Sequence, residues 1–128
     1  MPRDSFIYRG ALVVGVLPAF FGLSAMLRPE ATLTGAEFTV PQDPEARKLV
    51  FGLMRIYGVR NLSVSFLMAI LWSIGNRKLF GLALFGGLAM CITDGFVSKA
   101  VVGHGEWLHW SFVPIVLGFS VPLLRGSG

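Results

Sequence analysis

Four long apolar stretches, separated by short polar ones, dominate the pattern along the chain. The first runs from Phe6 to Leu27 and stops at Arg28-Pro29. The second opens at Asp43-Pro44-Glu45 and continues to Ile74, the third runs from Leu79 to Val97, and the fourth from Trp107 to Leu124. A helix rises about 1.5 Å per residue, so about twenty apolar residues cross the hydrocarbon core of a bilayer. The spacing therefore predicts an all-α integral membrane four-helix bundle, multi-pass and in one domain over residues 1–128, with spans at about 6–27, 49–74, 79–97 and 107–124. Asp43 is placed to cap the second helix, with Pro44 at its first position and Glu45 in its first turn. Gly75-Asn76-Arg77-Lys78 predicts a tight turn, and Pro18 predicts a kink in the first helix. That first stretch reads as a retained helix, because no small-residue cleavage site followed by a soluble domain accompanies it.

Composition agrees with this pattern and removes alternatives. The chain is 54% hydrophobic and only 14% charged, whereas soluble domains carry about a quarter charged residues. The net charge of +4 comes from basic residues scattered singly or in pairs, without the clustered stripe that a nucleic-acid backbone requires, so no nucleic-acid partner is expected. Cys91 is the single cysteine and lies inside an apolar run, which leaves no intrachain disulfide and no thiolate metal cluster. His104 and His109, with Glu106 between them, miss the i, i+4 face that two helical zinc ligands share. Neither a metal nor a cofactor is expected.

Four spans put both termini and the middle turn on one side. That side carries Arg3, Arg9, Arg77, Lys78 and Arg125, and the other carries Arg28, Arg47, Lys48 and Lys99. Five basic residues against four favour cytoplasmic termini. Trp107, Trp110 and Trp72 fall where interfacial aromatic belts form.

Polar residues inside the spans converge on the side opposite the termini. Arg55, Tyr57, Arg60 and Asn61 lie in the first half of the second helix, at depths of roughly 10 to 20 Å by helix rise. Tyr57, Arg60, Asn61 and Ser65 share a stripe, and Cys91, Asp94 and Ser98 form another on the third helix. A charge facing acyl chains is costly, so the two stripes are expected to face each other, with Gly81, Gly86 and Gly87 letting the helices approach. Leu67, Ile70 and Leu71 would face Leu82, Leu84 and Phe85 and seal the cytoplasmic half. Two readings of the charges stay open. Asp94 pairs with Arg55 or Arg60 as an ionic staple, or these groups line a polar cavity open to one leaflet. Two arginines against one aspartate leave a cation for Glu106, a lipid head group or a substrate oxygen.

Leu-Met-Arg-Ile-Tyr-Gly-Val-Arg-Asn-Leu at 53–62, Thr-Asp-Gly at 93–95 and Gly-His-Gly-Glu-Trp-Leu-His-Trp at 103–110 carry a resemblance. Over essentially its whole length the chain resembles the small four-span membrane family labelled domain of unknown function four-two-six-seven. The resemblance implies Arg55, Tyr57, Arg60, Asn61, Asp94 and His109 as the family's polar positions, without roles. Some fungal relatives occur in polyketide or terpenoid gene clusters, where such proteins are linked to opening epoxides on lipophilic intermediates.

The enzymatic expectation follows from that resemblance together with the residue chemistry. Asp94 would activate a nucleophile, Tyr57 or His109 would protonate the epoxide oxygen, and Arg55, Arg60, Asn61, Trp107 and Trp110 would hold the substrate. The competing expectation is a carrier or complex subunit whose charges are structural. A bundle this small has little interior volume, so a second copy of the chain is one way to complete a site; membrane lipid and a lipophilic small molecule are the other expected partners.

Overall fold

The structure, a computed structural model, describes residues 2–126, with side chains from Phe6 onward. Its elements are α1 (Pro2–Leu27), α2 (Pro29–Gly35), α3 (Pro44–Ile74), α4 (Arg77–Val102), α5 (Trp107–Trp110) and α6 (Phe112–Arg125). Phe6–Leu27, Pro44–Ile74, Arg77–Val102 and Trp107–Arg125 are each long and apolar enough to cross a membrane, as expected of a multi-pass helical bundle.

The element ends follow from local chemistry. Pro29 bars Arg28 from helical geometry and so closes α1. Asp43 Oδ2 accepts from Ala46 N at 2.9 Å and starts α3. Gly75 ends α3 at φ 80, a left-handed conformation that a side chain would oppose, and Asn76 Oδ1 accepts from Leu79 N at 2.9 Å to start α4. Pro18 lies within α1, which continues through it. The segment read as a plain polar connection contains the short helix α2, tied back to α1 by a 2.8 Å bond between the Ser24 and Thr32 hydroxyls. The fourth span is divided at Ser111 into α5 and α6.

The four spans pack as two consecutive pairs, the first with the second and the third with the fourth. α1 lies along α3 and α4 lies along α6, while α3 and α4 meet sparsely despite the tight turn between them. Tyr8 stacks on Trp72, and fourteen residues further along α1, Gly22 meets Gly58, fourteen residues back along α3. These two contacts fix an antiparallel register in which Phe20 is level with Arg60 and Ala25 with Arg55.

The two pairs join at the end that carries the α3–α4 turn. There Ala11, Met68, Phe80, Leu84, Leu88, Val116 and Leu123 form the core. Bundles in lipid hold together by close packing, since acyl chains are as apolar as leucine, so interlocking shapes matter more than apolar area. Trp72 Nε1 donates to the Tyr8 carbonyl at 3.2 Å, the Tyr8 hydroxyl donates to the Trp72 carbonyl, and Phe80 sets its edge against the Tyr8 ring at 5.9 Å. The residues that fill this half differ in part from those expected. Leu84 is buried and Leu71 packs against the core, but Leu67, Ile70, Leu82 and Phe85 point outward.

Candidate functional site

α3 supplies most of the site because its first half carries polar residues where α1 approaches closest. A Cβ on Gly58 would stand 2.6 Å from the Gly22 carbonyl oxygen, and one on Gly22 would stand 2.6 Å from that of Gly58. This backbone contact turns buried Asn61 and Ser65 towards α1, and the Ser65 hydroxyl donates to the Val16 carbonyl at 3.4 Å. Tyr57 and Arg60 are left on the side of α3 that reaches α4.

Arg60 bridges the two helix pairs. Its Nη2 donates to Asp94 Oδ2 at 3.1 Å and to Oδ1 at 3.3 Å, and its Nε and Nη2 approach Asn61 Oδ1 at 3.4 Å. The guanidinium carbon stands 4.9 Å from the centre of the Tyr57 ring, a cation–π distance. By the α1–α3 register the pair sits about 10 Å inside the end of α1 at Leu27. The Asp94 side chain keeps 21% of its exposure and that of Arg60 keeps 38%, so the pair is not sealed in the core. Both Asp94 oxygens bond through a single Nη2, so each retains lone-pair capacity for a water or a hydroxyl.

One turn beyond Asp94 on α4, the buried Ser98 hydroxyl and His109 Nε2 lie 3.1 Å apart. This bond fastens α5 to α4. Trp110 reinforces it. Its Nε1 donates to the Ile92 carbonyl at 3.3 Å, and a Cβ on Gly95 would collide with its indole. Trp107 meets Trp110 edge to face at 5.6 Å and is otherwise exposed, at 69%. Among the described residues no three His, Cys, Asp or Glu side chains gather as a metal site would require.

The expected stripes are thus brought together in part. Arg60 is the arginine that meets Asp94, whereas Arg55 is exposed and has no partner among the described residues. Ser65 faces α1, not α4. Glu106 pairs with Lys99 at 3.5 Å instead of with a span arginine. His104 meets Glu37 at 3.0 Å on the exposed surface. Of the glycines expected to bring the second and third spans together, Gly81 packs against Leu123 and Ser120 of α6, and Gly86 and Gly87 face open space. Gly22, Gly58 and the Ser98–His109 bond were not singled out as site-forming. Gly58 lies inside the Tyr-Gly-Val-Arg-Asn run, and a glycine between polar residues on a span is the signal that could have marked the crossing.

No curated protein and no solved structure matches the chain. Residues 15–123, which take in part or all of each span and the groups Tyr57, Arg60, Asn61, Asp94, Ser98 and His109, match the family described as Domain of unknown function (DUF4267), and the chain belongs to it.

Proposed function

We propose that the protein is a membrane-embedded enzyme that opens an epoxide on a lipophilic small molecule in the leaflet holding the Arg60–Asp94 pair. The observation that carries this reading is a carboxylate with unfilled hydrogen-bonding capacity, held by Arg60 beside the Tyr57 ring where α3 and α4 pack sparsely. A lipid-soluble substrate reaches such a place laterally from the bilayer. Asp94 takes a proton from water while the water oxygen bonds to an epoxide carbon. The ring C–O bond breaks, and Tyr57 gives its phenolic proton to the departing alkoxide. The proton on Asp94 then returns to the phenolate, leaving a diol. An internal hydroxyl in place of water gives a cyclic ether. Arg60 holds the carboxylate oriented through its two bonds from Nη2. His109 is the alternative acid, although its Nε2 is turned to Ser98. The charge balance of the connecting segments favours cytoplasmic termini, which assigns the site to the opposite leaflet.

The mutual satisfaction of Arg60 and Asp94 supports a second reading, a non-catalytic carrier or subunit in which the pair is a structural staple. Membranes containing the wild type or Asp94→Asn, given a panel of lipophilic epoxides and followed by mass spectrometry, separate the two. Loss of diol or cyclic ether at an unchanged melting temperature supports the enzyme. No turnover by the wild type, with a collapsed melting temperature in the variant, refutes it in favour of the staple.

A further inference from the structure

Arg55 presents a different problem from Arg60. It is exposed on α3, level with Ala25 of α1 and so about one turn or less inside the end of the first span at Leu27. No described residue hydrogen-bonds, ion-pairs or stacks with its guanidinium, and it does not belong to the Asp94 cluster. Among the described residues no acid pairs with it, and pure hydrocarbon would exact a large desolvation cost for this permanent charge. The long arginine stem instead lets the guanidinium reach the head-group layer.

A second cation lies ready on the same face. Lys48 is seven residues earlier on α3, two helical turns or about 10 Å along the axis, and is likewise exposed and without a described partner. Gly52 lies between them at i+4 from Lys48 and i−3 from Arg55, so the three share one face. A Cβ at Gly52 would meet nothing within 4 Å. The surface between the cations is a gap without side-chain cover, flanked on the membrane side by a guanidinium and on the water side by an ammonium. Glu45, three residues beyond Lys48, bounds the face on its outer edge. Elsewhere on this side Arg47 is committed to Glu30 at 2.6 Å and Lys99 to Glu106 at 3.5 Å, while the side chain of Arg28, at the end of α1, is exposed and without a described partner but lies off this face of α3.

We infer that Lys48, Gly52 and Arg55 form a binding site for the phosphate of an anionic phospholipid, whose acyl chains run down the apolar face of α3. Arg55 supplies paired N–H donors to phosphate oxygens from the membrane side, Lys48 adds a point charge from the water side, and the bare backbone at Gly52 lets the phosphate approach the helix. Only the spanning arrangement is needed for this site, so it stands or falls separately from epoxide opening.

The full chain, extracted from vesicles of equal phosphatidylcholine and phosphatidylglycerol, tests the inference through the lipid it retains, read by native mass spectrometry. The wild type is expected to retain phosphatidylglycerol preferentially. Lys48→Gln with Arg55→Gln is expected to lose that preference by about fivefold per cation removed, while Arg125→Gln, at the other side of the membrane, keeps it. Melting temperature in phosphatidylcholine alone shows whether the double variant is folded. If it is not, Lys48→Gln by itself must still weaken the preference and Arg55→Lys must keep most of it. Equal retention of the two lipids by the wild type overturns the inference, as does undiminished preference in the folded double variant. Inorganic phosphate stabilising the phosphatidylcholine-only protein as much as phosphatidylglycerol does would make the ligand a free anion and would also overturn it.

Discussion

Gly22 and Gly58 meet backbone to backbone, each occupying the space that a side chain on the other helix would need. Their contact sets how α3 is rotated about its axis, and with it the direction of Tyr57, Arg60 and Asn61. Gly58→Leu forces the helices apart and is expected to cost about 1–3 kcal/mol, read as a lower melting temperature in detergent. Gly86→Ala, at an open position, is expected to leave the melting temperature unchanged.

Arg60 and Asp94 are coupled, and a double-mutant cycle should show it. Arg60→Gln and Asp94→Asn each remove one end of the bridge and leave the other charge without its partner. Combining them removes both, so the double variant is expected to be more stable than the two single losses added together, by about 0.5–1.5 kcal/mol. Additive losses would mean that the bridge contributes nothing to holding α3 and α4 together.

Tyr57→Phe separates chemistry from packing. The ring that lies on Arg60 remains and only the hydroxyl is lost. If the phenol is the acid of an epoxide opening, product formation falls about a hundredfold or more while the melting temperature holds. Unchanged turnover would transfer the acid's role to His109, for which His109→Gln is the matching variant.

At the opposite end of the bundle, Tyr8 and Trp72 exchange hydrogen bonds to each other's backbone carbonyls across α1 and α3. Tyr8→Phe keeps the stacked ring but deletes one bond, and is expected to lower stability by about 1 kcal/mol. The Arg60–Asp94 bridge lies more than three helical turns away along the bundle, so any activity should survive this change.

The sequence made the helices readable and left their partners hidden. Asp43-Pro44 and Gly75-Asn76 mark the ends of α3 because capping and left-handed turns demand particular residues within a few positions. Leu67 and Leu84 look alike as letters, yet one faces outward and the other lies in the core. Inside a bilayer both faces of a span are apolar, so hydrophobic periodicity loses its power to tell packed from exposed. The same ambiguity made Gly86 and Gly87 look like contact points and concealed Gly22 and Gly58. Polar residues kept more of their signal: the need to neutralise a charge at depth correctly brought Asp94 to an arginine. Choosing between Arg55 and Arg60 required the rotation of α3, which only the packing against α1 supplies.

The pairing of consecutive spans bears on biogenesis. A ribosome delivers α3 as the next span after α1, so the first helix meets its packing partner as soon as the second span is in the membrane. Once α3 has arrived, one complete pair exists while α4 is still being made. α4 is likewise followed directly by the span that holds α6, the helix it packs along, which ends at Arg125. Truncation within α6 would therefore strand α4 without its packing surface, yet leave α1 and α3 able to associate.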